Sequence, residues 1–173
     1  MTRRFFELYS AKVERTLRHL LGPIDELEDL VHDVFVDALE AIDKLREPAA
    51  LSGWVRGIAV ITAKRRLLRF YRRRWLGLTS SGELPDVPFV SRDVESREAF
   101  RSLHEILSQL HPEDRIAVIL YRIEELTVDQ AALTMGISGS TFKRRLRRGE
   151  ERLEKLSRKC TALASWLAEG KAS

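Results

Sequence analysis

The fold is decided by one stretch, Thr127–Leu156, which reads TVDQAALTMGISGSTFKRRLRRGEERLEKL. Its first four residues place Thr127 and Gln130 at the spacing of a capping box, a pattern typical of helix starts. Gly136 suits the end of this short helix, because glycine readily adopts left-handed backbone angles. A longer basic helix follows. The stretch therefore predicts a helix-turn-helix, a motif that places its second helix in the major groove of DNA.

The second helix of this motif has an apolar face and a polar face. At about 100° per residue, Leu146, Gly149 and Leu153 fall within about 40° of Phe142, which predicts a face packed on the protein. The other face carries short polar groups suited to base edges and cations suited to guanines and phosphates. The candidate DNA-binding residues here are Ser138, Ser140, Thr141, Lys143, Arg144, Arg147 and Arg148. A solvated basic helix is the alternative; the glycine, the two caps and the apolar stripe favour DNA binding.

The rest of the chain is also predicted to be helical, because its apolar residues recur at intervals of three and four. A first helix should end at Gly22-Pro23. A second helix should end before Pro48, and a third should begin with Ser52 as its N-cap. The predicted apolar stripe of the second helix is Leu27, Leu30, Val31, Val34, Phe35, Ala38 and Ile42. The expected fold class is all-α.

Two small helical domains are predicted, joined by a flexible linker. The segment 77–88 is rich in Gly, Ser and Pro, a composition that neither continues a helix nor packs a core. Beyond it, a helix over about 93–110 should precede a further helix that starts at Pro112. The expected boundaries are 1–76 for the first domain, 77–92 for the linker, 93–159 for the helix-turn-helix domain and 160–173 for a C-terminal tail.

A second basic run lies in the first domain, where no acidic residue occurs between Pro48 and Gly82. Phe70, Tyr71 and Trp75 lie among its cations. Cations can neutralise phosphates and aromatic rings can stack on exposed bases, so the run suggests contact with opened DNA. The alternative is that the aromatic residues belong to the core. The candidate DNA-binding residues of this domain are Trp54, Arg56, Lys64, Arg65, Arg69, Arg72 and Arg73.

Composition excludes several other classes of protein. The chain has 173 residues, a net charge of +4 and one cysteine, Cys160, which cannot form an internal disulfide. Its four histidines lie far apart and show no zinc-ligand spacing. We expect no metal, no cofactor and no catalytic residue. Neither a signal peptide nor an apolar run of roughly 20 residues is visible, so we expect a cytoplasmic protein with no membrane insertion.

These segments, taken in order, resemble the extracytoplasmic-function (ECF) group of bacterial RNA polymerase sigma factors. The resemblance covers nearly the whole chain. Glu28–Phe35 is similar to the polymerase-binding helix of the family, Leu51–Ala59 to its promoter-melting and minus-ten segment, and Leu110–Leu153 to its minus-thirty-five reader. The chain departs from the family pattern in the third helix, where Ile61 and Lys64 replace residues that are often Asn and Asp.

The resemblance implies partners and roles. Core RNA polymerase would be bound through its two largest subunits, promoter DNA would be bound both as duplex and in the melted state, and an anti-sigma factor is expected. The second helix carries an acidic stripe, Asp29, Asp33, Asp37 and Glu40, which from the residues alone could be either a solvated face or a docking face. The resemblance implies that it is a docking face. The implied polymerase-binding residues are Asp29, Leu30, His32, Asp33 and Phe35.

Two other functions compete with this interpretation. A repressor that binds an operator by itself would dimerise and read a palindrome, yet the sequence has no sustained heptad seam. A recombinase with a helix-turn-helix tail would need a catalytic constellation in the first domain. Tyr9 and Ser10 lie there, but no surrounding residues support a catalytic role for them.

Overall fold

The computed structural model describes residues 2–45, 47–76 and 94–157, and within these ranges it contains only helices, turns and loops. The α-helices are α1 (Thr2–Leu21), α2 (Leu27–Glu40), α3 (Leu51–Trp75), α4 (Val94–Leu107), α5 (Pro112–Arg122), α6 (Val128–Met135) and α7 (Gly139–Ser157). Two 3-10 turns, Ile42–Lys44 and Pro48–Ala50, lie between α2 and α3. The predicted all-α fold is confirmed. The linker 77–92 and the tail 160–173 lie outside the described residues.

The first three α-helices pack against one another around a core that includes Leu17, Leu20, Val34 and Ala59. Gly22 follows α1 with a φ of 83°, in the region that favours glycine, and ends the helix as predicted. The expected stripe of α2 is buried or half-buried up to Ala38. Ile42 departs from it and is 38% exposed, because α2 ends at Glu40 and Ile42 lies in the 3-10 turn.

The N-cap predicted at Ser52 is wrong. The 3-10 turn Pro48–Ala50 leads directly into α3, which begins at Leu51, so that Ala50 occupies the cap position and offers no side-chain hydrogen bond. Ser52 lies inside the first turn instead. There its hydroxyl accepts a hydrogen bond of 2.5 Å from Nζ of Lys12 on α1. Its side chain therefore ties α3 to α1 and leaves the helix start uncapped.

The second half is built on α5, whose residues from Asp114 to Leu120 are all buried. Pro112 occupies its first turn, and the ring of His111 accepts a hydrogen bond from the backbone N–H of Glu113. Helix α7 crosses α5 closely at Gly149. A Cβ there would lie 2.7 Å from Cγ2 of Val118 and 3.1 Å from the carbonyl oxygen of Asp114. Only glycine permits this approach without displacing α5.

The two halves also contact each other. Helix α3 packs against α5 and α6, and α1 packs against α5, so the buried residues form one continuous cluster. The sequence pattern predicts two modules but not this contact. The contact between the halves bears on function, because α3 and α7 carry the two predicted DNA-binding surfaces.

No helix within the described ranges is both long enough and apolar enough to cross a membrane.

Candidate nucleic-acid interface

The predicted helix-turn-helix consists of α6, its turn and α7. Thr127 and Gln130 form the capping box: the Thr127 hydroxyl accepts from the Gln130 N–H at 3.2 Å, and the Gln130 side chain accepts from the Thr127 N–H at 3.0 Å. Gly136 ends α6 in the left-handed region, with a φ of 65°. The Ser138 hydroxyl then accepts from the backbone N–H of Thr141 at 3.3 Å, at the start of α7. The start of α6 and the start of α7 are therefore each capped by a residue three positions away in the sequence.

The outer face of α7 is accessible. Phe142, Leu146, Gly149 and Leu153 are buried, as the helical pattern predicts. Arg147 is exposed and pairs with Glu151 one turn along at 2.8 Å, an arrangement in which a phosphate can replace the carboxylate at little cost. The exposed members of the predicted set are Ser138, Ser140, Lys143, Arg144, Arg147 and Arg148, while Thr141 is half-buried.

Arg148 differs from the other cations of α7. Its guanidinium donates two hydrogen bonds of 2.6 Å to the two carboxylate oxygens of Asp114 on α5. Asp114 is buried, whereas much of the Arg148 side chain remains exposed. A paired fork of this kind holds both groups in one orientation. Arg148 therefore anchors α7 on α5.

The basic run of α3 divides into two groups. Arg69, Arg72 and Arg73 are exposed, and none of them has an ion-pair partner in the part of the chain that the structure describes. Arg65 is exposed and pairs loosely with Asp37 on α2 at 3.4 Å. The remaining three predicted residues, Trp54, Arg56 and Lys64, are half-buried. The free cations therefore cluster toward the C-terminal half of α3.

Aromatic residues in this run have different environments. Phe70 and Trp75 are 49% and 80% exposed, so neither is a core residue. Tyr71 is half-buried, and its ring packs edge-on against His111 at a centroid distance of 5.3 Å. Exposed rings beside exposed guanidiniums match the composition of surfaces that bind single-stranded nucleic acid.

Lys64 is engaged by the second half of the chain through Glu113 on α5. The two Glu113 oxygens lie 2.7 Å from Nζ of Lys64 and 2.7 Å from a guanidinium nitrogen of Arg145 on α7. Burial would raise the pKa of the Glu113 carboxyl, but the hydrogen bond from Lys64 and the charges of Lys64 and Arg145 outweigh it and hold the pKa below its ordinary value. One carboxylate thus bridges the two basic helices.

Glu124 makes a second contact of the same kind. It follows α5, and its side chain is almost completely buried against α1. One carboxylate oxygen lies 2.6 Å from Nδ1 of His19, and the other accepts from the Thr16 hydroxyl at 3.3 Å. Burial opposes ionisation, yet the hydrogen bond and charge of His19, with the charges of Arg56 and Arg15, lower the Glu124 pKa overall. The charge of Arg56, a predicted DNA-binding residue, therefore acts on a carboxylate of the second half.

Glu113, Glu124 and Arg145 were missed at the level of sequence. Glu113 and Glu124 act across the contact between the halves, whereas Arg145 pairs with Glu113 within the second half. In each case the partner lies far away in the chain, and no spacing pattern reports it.

The acidic stripe of α2 forms an exposed face. Asp29 lies three and four residues before His32 and Asp33, and Val36 lies four and three residues after them, so the four residues share one side of the helix. All four are exposed. Leu30 is half-buried. Leu39, at the edge of this face, is 40% exposed, and Val36 is 41% exposed. These two apolar residues were missed, although their exposure follows from their position outside the buried stripe.

Phe35, which the resemblance also assigns to polymerase binding, does not lie on the exposed face of α2. It is 4% exposed, and its ring packs against Phe5 and Phe6 of α1 at centroid distances of 5.4 Å and 4.7 Å. Its side chain orients α2 on α1 and is not available on the exposed face. Among the described residues, no group of His, Cys, Asp and Glu side chains could hold a metal ion.

Comparison with known proteins identifies relatives of both halves. The family model described as Sigma-70 region 2 matches residues 5–76, and the model described as Sigma-70, region 4 matches residues 100–153. The chain is 25% identical over 158 residues to the ECF RNA polymerase sigma factor SigW of Bacillus subtilis, covering 86% of this chain and 84% of that protein. It is 27% identical over 169 residues to the RNA polymerase sigma-H factor of Pseudomonas aeruginosa, covering 88% and 86%.

Solved structures share the fold. The sigma factor RpoE of Bartonella quintana, crystallised with the anti-sigma factor NepR, superposes with a TM-score of 0.67 at 20% identity, covering 90% of this chain and 96% of that one. CnrH, in complex with the cytosolic domain of CnrY, gives a TM-score of 0.60 at 21% identity, covering 92% and 88%. Two sigma-70 family models match in order on either side of the segment 77–99, and an ECF sigma factor matches over most of the chain. The chain therefore belongs to the ECF group of the sigma-70 family and is an RNA polymerase sigma factor that directs promoter-specific initiation of transcription.

Proposed function

We propose that the chain reads two promoter elements, with the outer face of α7 on the minus-thirty-five element and the basic face of α3 on the minus-ten element, and that it performs no catalysis itself. The supporting observation is that both helices present exposed cations in a chain matched by both family models. On α7, Ser138 and Ser140 lie at the end that enters the groove, and Arg144 lies one turn further along. On α3, Arg69, Arg72 and Arg73 are placed to contact phosphates.

The exposed face of α2 is the proposed docking surface for core polymerase. It combines carboxylates with the apolar side chains of Val36 and Leu39, as expected of a docking site that buries apolar area within a polar rim. The two largest subunits of the polymerase would be the partners. The role of Phe35 in this proposal is to hold α2 in place on α1.

Charge reversal at Asp33 should weaken polymerase binding. Asp33→Lys replaces an exposed carboxylate at the centre of the docking face, so we expect at least a tenfold loss of affinity for core polymerase, equivalent to about 1.4 kcal/mol. The fold should be unaffected, since Asp33 is exposed. Binding is measured by fluorescence anisotropy of the labelled protein titrated with core enzyme.

Glu14→Lys is the matched control. Glu14 is also an exposed acidic residue, but it lies on α1, outside the segment Glu28–Phe35 that resembles the polymerase-binding helix. This variant should bind core polymerase within about threefold of the parent protein, and an equal loss in both variants would show that general charge, not the docking face, governs binding.

The arrangement of the two halves suggests how DNA binding is controlled. Glu113 of the second half occupies a position beside Lys64, where a DNA phosphate would lie in the proposed complex, and the charge of Glu124 acts on Arg56. We infer that this is a closed arrangement and that the halves separate when the chain engages polymerase and promoter. A fixed contact between α3 and the helix-turn-helix would keep the two surfaces from reaching separate promoter elements.

The double variant Glu113→Gln/Glu124→Gln should open the closed arrangement. It retains the shape of both side chains but removes the charges that face Lys64, Arg145 and His19. We expect a larger radius of gyration by small-angle X-ray scattering and about threefold to tenfold tighter binding to promoter duplex. Glu28→Gln/Glu40→Gln, which also removes two carboxylates but from the exposed surface of α2, is the charge-matched control. An unchanged radius in Glu113→Gln/Glu124→Gln would contradict the assignment.

The pH dependence of the same contact has a definite sign. Both carboxyls have pKa values below the ordinary value of 4.5, so their contribution to the contact is complete above that pH and is lost as the pH falls through the lower values of the folded state. Lowering the pH should therefore weaken the contact between the two halves of the parent protein and have less effect on this contact in the double variant.

In vitro transcription tests the proposed function directly. Core polymerase is mixed with a pool of promoters, with and without the chain, and start sites are mapped. New start sites that depend on the chain are expected, and their loss in a variant lacking the three cations Arg69, Arg72 and Arg73 would support the minus-ten assignment. A repressor would instead bind duplex tightly as a dimer without polymerase, and it would create no start site.

Regulation and location follow from the same proposal. An anti-sigma factor is a proposed partner because RpoE of Bartonella quintana was crystallised with one. Such a partner would keep the two DNA-binding surfaces covered. The site of action would be the cytoplasm, where the polymerase and the promoter are found.

A further inference from the structure

A cavity of about 320 Å³ lies between the two halves, enclosed by the α1–α2 turn, α3, α4 and α5. Its wall is largely apolar and is formed by Leu21, Pro23, Ile24, Leu67 and Phe70. Small-molecule sites in proteins typically have volumes of roughly 300 to 1,000 Å³ and combine an apolar lining with a few polar groups. The cavity is therefore large enough for a ligand with a short hydrocarbon body.

Arg115 reaches this cavity from α5 without a compensating charge. It is only 5% exposed, and no carboxylate in the described ranges forms an ion pair with it. One guanidinium nitrogen lies 3.0 Å from Nδ1 of His104, while its Nε has no hydrogen-bond partner. Burial lowers the pKa of Arg115 to about 10, so it remains a cation at neutral pH. A buried charge left unpaired in this way is costly.

His104 cannot supply the missing negative charge. Burial, followed by the charge of Arg115, lowers the pKa of the His104 ring well below its ordinary value, so the ring is neutral and its Nδ1 accepts the hydrogen bond from Arg115. Gly22 packs directly against this ring: a Cβ at Gly22 would lie 2.8 Å from its Nδ1. The imidazole is held in place, and it leaves the rest of the guanidinium free for another partner.

A second guanidinium, that of Arg74 on α3, borders the same cavity. Its contact is one weak hydrogen bond of 3.4 Å to the carbonyl oxygen of Ser108. Arg66, by contrast, is paired with Glu26. Asp25 and Glu105 also border the cavity, but both are exposed and form no ion pair with either arginine among the described residues. Two guanidiniums thus lack a carboxylate at one apolar cavity.

We propose that the cavity binds a small amphipathic carboxylate, with its acid group on Arg115 and Arg74 and its hydrocarbon body against Leu21, Leu67 and Phe70. A carboxylate there would accept charge-assisted hydrogen bonds from guanidinium groups that otherwise lack them. Because both halves line the cavity, the occupant would also favour the closed arrangement. That consequence, unlike the binding itself, rests on the proposed function.

Isothermal titration calorimetry with octanoate and octanamide tests the site in the full chain. The two probes share their hydrocarbon chain, and only octanoate carries a charge. We expect octanoate to bind with a dissociation constant at least about tenfold below that of octanamide. Equal binding of the two probes, or no binding of octanoate, would overturn the proposal; the second result would leave an acidic side chain of a partner protein as the group that pairs with Arg115.

Variants assign the charge preference to the two arginines. Arg115→Met should bring the affinities for octanoate and octanamide to within about threefold of each other. Arg74→Gln alters an exposed residue and should reduce the preference while leaving the fold intact, so it carries the test if Arg115→Met does not fold. Lys155→Gln, on the exposed surface of α7, is the control and should bind both probes like the parent protein. An unchanged preference in Arg74→Gln together with Arg115→Met would refute the site, whatever the outcome of transcription assays.

Discussion

Replacement of Phe142 by alanine is expected to lower the free energy of unfolding of the second half by about 3 to 5 kcal/mol. Phe142 is completely buried where α7 faces α5 and α6, and it is the largest fully buried side chain among the described residues. Its removal leaves a cavity that the closely packed helices cannot refill, because Gly149 already brings α7 into contact with α5. Urea denaturation followed by far-UV circular dichroism measures the change.

Phe70→Ala is the matched control for this prediction. It removes the same side chain from a position that is 49% exposed, so about half of the residue's surface stays in contact with water in the folded protein. We expect a loss of less than about 1 kcal/mol. If Phe142→Ala cost no more than Phe70→Ala, the packing of the helix-turn-helix would differ from that described.

Binding of the holoenzyme to promoter DNA should weaken about a thousandfold between about 50 and 200 mM salt. Each phosphate that a cation neutralises releases counterions, and on the order of six contacts produce a loss of this size. The exposed candidates are Arg69, Arg72 and Arg73 on α3 and Lys143, Arg144 and Arg147 on α7. Affinity is measured by filter binding or anisotropy over a salt series.

Single substitutions divide this salt dependence among residues. Arg144→Ala should reduce the slope of log affinity against log salt by about one if Arg144 contacts a phosphate. Lys155→Ala is the control: it removes a cation from the same helix about 16 Å further along its axis. Its slope should equal that of the parent protein. A holoenzyme with a flat salt response would contradict the assignment of both basic faces.

The carboxylates of Glu113 and Glu124 should also affect how strongly the free chain binds DNA. Glu113 pairs with Lys64, and the charge of Arg56 acts on Glu124; the sequence assigns both of these cations to DNA. The Glu113 carboxylate is partly buried and that of Glu124 is largely buried. A charge held in this way must be released before a phosphate can take its place. The strength of promoter binding by the free chain is therefore expected to depend on the contact between the halves as well as on the DNA-facing residues.

Much of the second half could be predicted from the sequence because its determinants are local. The capping box of Thr127 and Gln130, the left-handed turn at Gly136 and the buried stripe from Phe142 to Leu153 depend on neighbours within one or two turns. Periodicity also predicted the apolar side of α2. The N-cap at Ser52 was wrong because the 3-10 turn Pro48–Ala50 leads directly into α3, which begins at Leu51 and places Ser52 inside the helix.

The candidate site was predicted less completely, for a related reason. A helical pattern shows which side of a helix is polar, and so it predicted the exposed set on α7. It does not show which polar residues have partners. Arg148 is bound to Asp114 on α5, and Lys64 is bound to Glu113. Phe35 was predicted as a polymerase contact, but the rings of α1 cover it.

By itself, the sequence determined the all-helical class, the helix-turn-helix and the family, because caps, periodicity and motif order are properties of neighbouring residues. Only the tertiary structure decided that the two basic helices share a carboxylate, that Arg115 is buried without a counter-charge, and that α3 is packed against the helix-turn-helix. These features join residues far apart in the chain. Their energies depend on distance and burial, which the order of residues does not specify.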